Sequence, residues 1–203
     1  MMCQAKRAGY ERQHTALDLH DRKCDLNLAR LHKAGIQGVR TVSGDACELD
    51  EVLTSFDAML GEPVKFDTVF IDAPCSGTGT MRRHPEIPWR LTEKDVTVEL
   101  PKLQLTMLKE AAARVAAGGE LIYATCSVFD EENMQVVDAF LNSSEGAGFS
   151  VAPLSEAQIL QLPEFAQAKK LVAVRQNDRG LFQSVPVNAD SYDGHFCARL
   201  VHK

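Results

Sequence analysis

Apolar and polar positions along this chain switch repeatedly between a strand period and a helix period. His14 to Leu19 (His-Thr-Ala-Leu-Asp-Leu) reads as a short buried strand that ends in an acid. Asp21 to Ala34 then places Cys24, Leu28 and Leu31 at helical spacing, with Gly35 as the stop. Val39 to Val42 is a second strand running into Ser43-Gly44-Asp45, and a helical turn is predicted around Val52 to Leu60 before a Gly61/Pro63 turn. Phe66 to Ile71, β-branched and aromatic, is the clearest strand and ends at Asp72. The loop from Ala73 to Arg90 follows, and Pro101 opens a helix whose Leu105, Leu108, Ala112 and Val115 share a face and which Gly118-Gly119 would end. Glu120 to Thr125 is a further strand, stopping at Cys126. Asp130-Glu131-Glu132 would put acids in the first turn of the next helix, with Val136, Val137, Phe140 and Leu141 on its apolar side. A helix near Ser155 to Gln161 and strands near Leu171 to Val174 and His195 to Val201 complete the prediction.

Strands alternating with helices predict an α/β fold, a mostly parallel sheet covered on both faces. Ligands of such folds bind beyond the carboxyl ends of the strands. Four predicted strands end at or just before Asp18, Asp45, Asp72 and Cys126, so those residues are expected at one edge. No repeat, low-complexity tract or linker interrupts the pattern, and one domain over residues 1–203 is expected.

Composition narrows the classes. The chain is 45% apolar and 25% charged, which excludes a disordered or fibrous protein. No apolar run approaches the roughly 20 residues of a membrane span, and the first residues lack the apolar stretch of a secretory signal. A net charge of −6 disfavours a broad nucleic-acid coat while leaving room for a local basic site. Six scattered cysteines without a Cys-x-x-Cys pair predict reduced thiols in a cytoplasmic protein.

Two segments carry the chemistry. Asp72-Ala73-Pro74-Cys75-Ser76-Gly77-Thr78-Gly79 places a carboxylate at a strand end, then a rigid Pro, a thiol and a glycine-rich turn whose backbone can approach a ligand. Ala124-Thr125-Cys126-Ser127 places a second thiol at a strand end before a helix start, where the helix dipole would favour thiolate and make Cys126 a nucleophile. The plain alternative is that both are small buried packing residues. Arg82, Arg83, His84 and Arg90 cluster around Trp89, a pattern suited to phosphate and to stacking on an unpaired base; a solvated loop with a packed Trp is the alternative. His20 with Cys24, and His195 with Cys197, have no further ligands near in sequence, so no metal site is expected.

Asp-Ala-Pro-Cys-Ser-Gly, continuing into Met81-Arg82-Arg83-His84-Pro85-Glu86-Ile87-Pro88-Trp89, resembles the fourth motif of the RsmB/Nop2/Sun family of RNA (cytosine-5) methyltransferases. Gly118 to Ser127, followed by Glu131-Glu132-Asn133, resembles their sixth. The resemblance implies a Rossmann-like fold, S-adenosylmethionine as cofactor and RNA, ribosomal RNA above all, as partner. It implies that Cys126 is the nucleophile that adds to cytosine and Cys75 the thiol that helps release the product. It also implies that Asp18, Asp45 and Asp72 meet the cofactor's ribose, its adenine, and the region beside its methionine or the target base. Taken singly and without the resemblance, each Asp reads first as a cap or turn former.

The family's first motif, an Asp-x-Cys-Ala-Ala-Pro-Gly-Gly-Lys turn after the first strand, has no counterpart before His14. The expectation is therefore the carboxyl-terminal part of a catalytic domain, in which the strands at 14–19 and 66–71 either close up on each other or have their gap filled by a partner, with self-association through exposed edges. Two rival expectations stand beside it: a catalytically inactive RNA-binding remnant of the same family, and a thiol redox or metal protein.

Overall fold

The computed structural model describes residues 14–153, 175–186 and 192–203. The chain divides into two compact units, residues 1–64 and 65–203. In the first unit, β1 (His14–Asp18) and β2 (Val39–Ser43) pair in parallel with Asp18 opposite Ser43, joined by α1 (Asp21–Lys33). The crossover helix buries Cys24, and Arg30, His32 and Lys33 in its last turn suit the negative end of its dipole. After β2 the chain forms two short helices, α2 (Leu49–Val52) and α3 (Thr54–Leu60), the second stopped by Gly61 at φ 77°.

The second unit is built on β3 (Phe66–Asp72) and β4 (Val115–Thr125), parallel partners with Asp72 opposite Ala124. Between them run a short helix α4 (Ile87–Arg90), a π-helical turn (Asp95–Glu99) and α5 (Leu100–Ala112). Beyond β4 lie α6 (Met134–Leu141), β5 (Phe149–Val151), the β6 (Arg175–Gln176) and β7 (Phe182–Ser184) hairpin, and β8 (His195–His202). The sheet order is β3-β4-β8-β7-β6, with β5 also on β8. Leu121, Tyr123, Phe140, Phe196, Ala198 and Leu200 are sealed from solvent and form its core. Among the described residues, β1 has β2 and β3 has β4 as single ladder partner, and no helix is long and apolar enough to cross a membrane.

Three expectations need correction. The larger sheet is mixed rather than mostly parallel, because β8 runs antiparallel to β4, β5 and β7, and β6 and β7 form a hairpin. Residues 115–119 belong to a strand, not to the end of a helix. Val115 pairs with Phe66, and the register then shifts so that Thr68 faces Glu120, leaving Gly118 (φ 72°) and Gly119 in the bulge. The acids Asp130 to Glu132 precede α6 rather than open it, since the helix begins at Met134. The helix and strand expected near Ser155 to Gln161 and Leu171 to Val174 lie outside the described residues.

Candidate active site

Parallel pairing of β3 with β4 brings their carboxyl ends side by side, and the loops leaving those ends carry Cys75 and Cys126. Several backbone bonds lock the loops together. Ala73 N–H donates to the Ala124 carbonyl at 2.9 Å, and Gly79 N–H donates to the Cys126 carbonyl at 2.8 Å. Gly194 N–H in turn donates to the Gly79 carbonyl at 2.8 Å. A Cβ on Gly79 would lie 2.1 Å from the Gly194 carbonyl oxygen and 2.8 Å from that of Cys126, so only glycine fits. At Gly79 the turn thus serves close approach between protein segments. Gly77, at φ 72°, supplies the left-handed residue that starts the turn.

The two thiols meet at 3.3 Å between Sγ atoms. The hydrogen bond from Cys75 is the largest influence on Cys126 and pulls its pKa down to about 6; burial works against this, nearby His195 helps, and Asp72 opposes. Cys75 is pushed well up, by the hydrogen bond with Cys126 first and by burial second. One proton is therefore shared unequally, with Cys75 holding it and Cys126 carrying the charge. A helix terminus is not the cause: α6 starts only at Met134. The pair favours the charge on Cys126 and the proton on Cys75.

Behind the thiols lies a buried polar cluster. Ser76 Oγ donates to Ser127 Oγ at 3.1 Å, and the Thr78 hydroxyl lies 3.3 Å from the same atom. Ser127 donates to Glu132 Oε1 at 2.7 Å, and Thr125 donates to Asn133 Oδ1 at 2.6 Å. Ser76, Thr78, Ser127, Glu132, Asn133 and Gln104 of α5 are all buried. Sequence reasoning missed this cluster, having read Glu132 as a charge on a helix end. The available signal was a run of three acids, more than one helix terminus needs.

The other candidates fall as follows. Asp72 ends β3, exposed and near enough to Cys126 to act on its charge. Asp18 and Asp45 sit at the carboxyl ends of β1 and β2 in the first unit. Asp18 Oδ1 accepts the His20 N–H at 3.0 Å and pairs with Lys23 at 3.8 Å; Asp45 Oδ1 accepts the Cys47 N–H at 2.8 Å. Each therefore does form a local turn, as the plain reading expected. Each also has a second carboxylate oxygen outside those bonds, suited to accept from a hydroxyl or amino group. That pair of acceptors fits the hydroxyl and amino groups of the nucleoside part of S-adenosylmethionine.

The basic cluster is met by acids. Arg83 Nε donates to Asp193 Oδ2 at 2.7 Å, and Arg82 lies 3.9 Å from Asp193 Oδ1. His84 and Arg90 both face Glu86, at 3.4 and 3.6 Å. Trp89 on α4 is 89% exposed rather than packed. Beside these residues an open cleft of about 240 Å³ is lined by Cys75, Ser76, Ile87, Arg90 and Leu91. Among the described residues no three His, Cys, Asp or Glu side chains gather as a metal-ligand set.

Each unit pairs parallel strands through crossover helices and carries acids at their carboxyl ends, the pattern of the Rossmann-like fold found in S-adenosylmethionine-dependent methyltransferases. Residues 6–201 match the family described as 16S rRNA methyltransferase RsmB/F, and the chain belongs to that family. Over 86 residues it is 46% identical to ribosomal RNA small subunit methyltransferase B of Salmonella arizonae, covering 42% of this chain and 20% of that protein. Over 83 residues it is 48% identical to the protein of the same name from Citrobacter koseri, covering 41% and 19%. The matched stretch is about a fifth of these relatives' length. Among solved structures it resembles PH0851, with TM-score 0.72 at 29% identity over 94% of this chain and 37% of that one. NSun6 from Pyrococcus horikoshii, crystallised with SFG, shares the fold with TM-score 0.71 at 20% identity, over 98% of this chain and 44% of that one.

Proposed function

We propose that this chain carries the catalytic thiol pair of an S-adenosylmethionine-dependent methyltransferase that modifies C5 of a cytosine in ribosomal RNA. The observation that supports this most is the Cys75–Cys126 pair, with its thiols 3.3 Å apart at the carboxyl edge of two parallel strands. The relatives' names, which specify the small-subunit ribosomal RNA, support the substrate class and with it a cytoplasmic setting.

Cytosine C5 is a weak nucleophile, and a thiolate can change that. Cys126 Sγ adds to C6, and the displaced electron pair makes C5 enamine-like. Bound S-adenosylmethionine would supply an electrophilic methyl group there, with Asp18 and Asp45 holding its ribose and adenine and Asp72 near its methionine or the target base. The C5 proton then leaves, and the electrons left behind expel Cys126 as thiolate, giving 5-methylcytosine. Covalent catalysis of this kind divides one hard step into easier ones.

The unequal proton sharing suits both halves of the cycle. Before attack, Cys75 keeps Cys126 anionic without consuming it. Once Cys126 is bonded to C6, the anion that raised Cys75 is gone, leaving burial as its remaining upward influence; Cys75 can then lose its own proton to solvent, and the thiolate so formed can accept the proton that leaves C5. The cleft beside Cys75 has room for one pyrimidine ring, with Arg90 on its wall to meet phosphate. Arg82, Arg83 and His84 extend that contact along the RNA backbone, and exposed Trp89 offers a stacking face.

The test uses S-adenosylmethionine with a labelled methyl group and small-subunit ribosomal RNA, followed by digestion to nucleosides. The expected product is labelled 5-methylcytidine, abolished by Cys126→Ala. Label that survives in the Cys126→Ala protein, or that appears on another nucleoside, would overturn the assignment.

A further inference from the structure

Glu132 is fully buried, and it is the one acid among the buried polar residues described. Its Oε2 accepts the Ser76 backbone N–H at 2.8 Å and the Gln104 side-chain amide at 3.1 Å. Its Oε1 accepts the Ser127 hydroxyl at 2.7 Å. Its own backbone carbonyl accepts the Tyr123 hydroxyl of β4 at 2.6 Å. All three side-chain partners are neutral donors, the pattern that only a carboxylate can meet with both oxygens.

The placement of those donors is informative. Ser76 follows Cys75 and Ser127 follows Cys126, so one carboxyl group grips the residue next to each thiol. Gln104 ties the same group to α5 and also donates to the Pro74 carbonyl at 2.9 Å, on the other side of Cys75. The Cys75 turn is thereby held on both flanks, and the Cys126 turn is held to it. Burying an acid is costly, and an apolar side chain of similar volume would fill the space at lower cost. The expense falls at the junction of the two reactive turns.

We propose that Glu132 is a positioning residue whose carboxyl group fixes the separation of the Cys75 and Cys126 thiols. Its meaning for catalysis rests on the methyltransferase reading; the geometry it sets is measurable without any methylation. A shift of either turn weakens the Cys75 hydrogen bond, which is the largest influence on Cys126, and the ionisation of Cys126 then moves upward.

The experiment uses phenylarsine oxide, whose arsenic bonds to two neighbouring thiols while its oxygen leaves as water. In the wild-type chain, peptide mass spectrometry should find Cys75 and Cys126 bridged at stoichiometric reagent. Glu132→Ala should lower that bridging at least tenfold and raise the pH midpoint of Cys126 alkylation by more than one unit. Glu132→Gln keeps the length but replaces one acceptor with a donor, and Ser127→Ala removes the other arm; both should fall between. Cys197 on β8, half-buried and held opposite Ala124 of β4, reports that the sheet is folded by staying as slow to alkylate as in the wild type. If Glu132→Ala loses that protection, the two single-arm variants decide the outcome. Folded single-arm variants with wild-type bridging and midpoint would overturn the proposal. Lost bridging in a chain family that never yields 5-methylcytidine would sustain the positioning role and sink only the reaction.

Discussion

Removing the Cys75 thiol should leave Cys126 in place but take away its charge. The hydrogen bond from Cys75 is the first cause of the low Cys126 pKa, about 6, and burial is already pulling the other way. Without the donor, Cys126 should titrate near the ordinary thiol value of about 8.5. At pH 7 the thiolate fraction would then fall from roughly nine-tenths to a few per cent, a loss of about 30-fold. The rate of alkylation would not fall as far, because a more basic thiolate is a better nucleophile and recovers about 10-fold over such a shift. The net change at pH 7 is only about threefold, so the midpoint of the pH profile is the informative quantity. Cys126 carboxamidomethylation, followed by peptide mass spectrometry between pH 4 and 10, should rise with pH because the deprotonated form reacts. The wild type should be half-maximal at about 6. Cys75→Ala should move that midpoint up by about two and a half units, and Cys75→Ser, which keeps a hydroxyl donor, by less. A Cys75→Ala midpoint within a few tenths of the wild type would refute the idea that the two thiols share a proton.

Three further outcomes follow from named contacts. RNA affinity should fall as salt rises, and Arg82→Ala with Arg83→Ala should make that slope shallower; an unchanged slope would reduce the cluster beside Asp193 to ordinary surface. Gly79→Ala drives a Cβ into two carbonyl oxygens and should cost about 3 kcal/mol in thermal melting, the upper end of ordinary overpacking, while also disturbing Cys126. Tyr123→Phe removes the hydroxyl that caps the Glu132 carbonyl and should cost about 1 kcal/mol, read by denaturant unfolding; no change in midpoint would deny that bond a stabilising role.

The parts of the fold that rest on local periodicity were legible. β1, α1, β2 and β3 each begin and end within about a residue of where the apolar spacing put them, because each packs one face and stops at a strong breaker or acid. Residues 115–119 were not, since Val115 fits the apolar face of α5 as well as it fits a strand; long-range pairing with Phe66 decided the matter. The mixed order of the larger sheet depends on β8 returning antiparallel from the far end of the chain, which no local pattern encodes. Within the site, the proximity of Cys75 and Cys126 could be foreseen from two thiols at two strand ends. Their proton sharing could not, because it depends on a 3.3 Å approach set by turn geometry. Glu132 was hidden for a related reason: in sequence it is one acid of three, and only the fold turns it inward between two serines.

The central claim is that Cys126 forms a bond to C6 of a cytosine. The most direct measurement replaces cytidine in the RNA with 5-fluorocytidine, where C5 carries fluorine in place of the proton that must leave. With S-adenosylmethionine present, addition and methyl transfer can occur but release cannot, so protein and RNA should remain joined. Nuclease and protease digestion followed by mass spectrometry should find the modified nucleotide on Cys126, with Cys75 unmodified. An adduct on Cys75, or none on either thiol while cytosine in normal RNA is still methylated, would contradict the account.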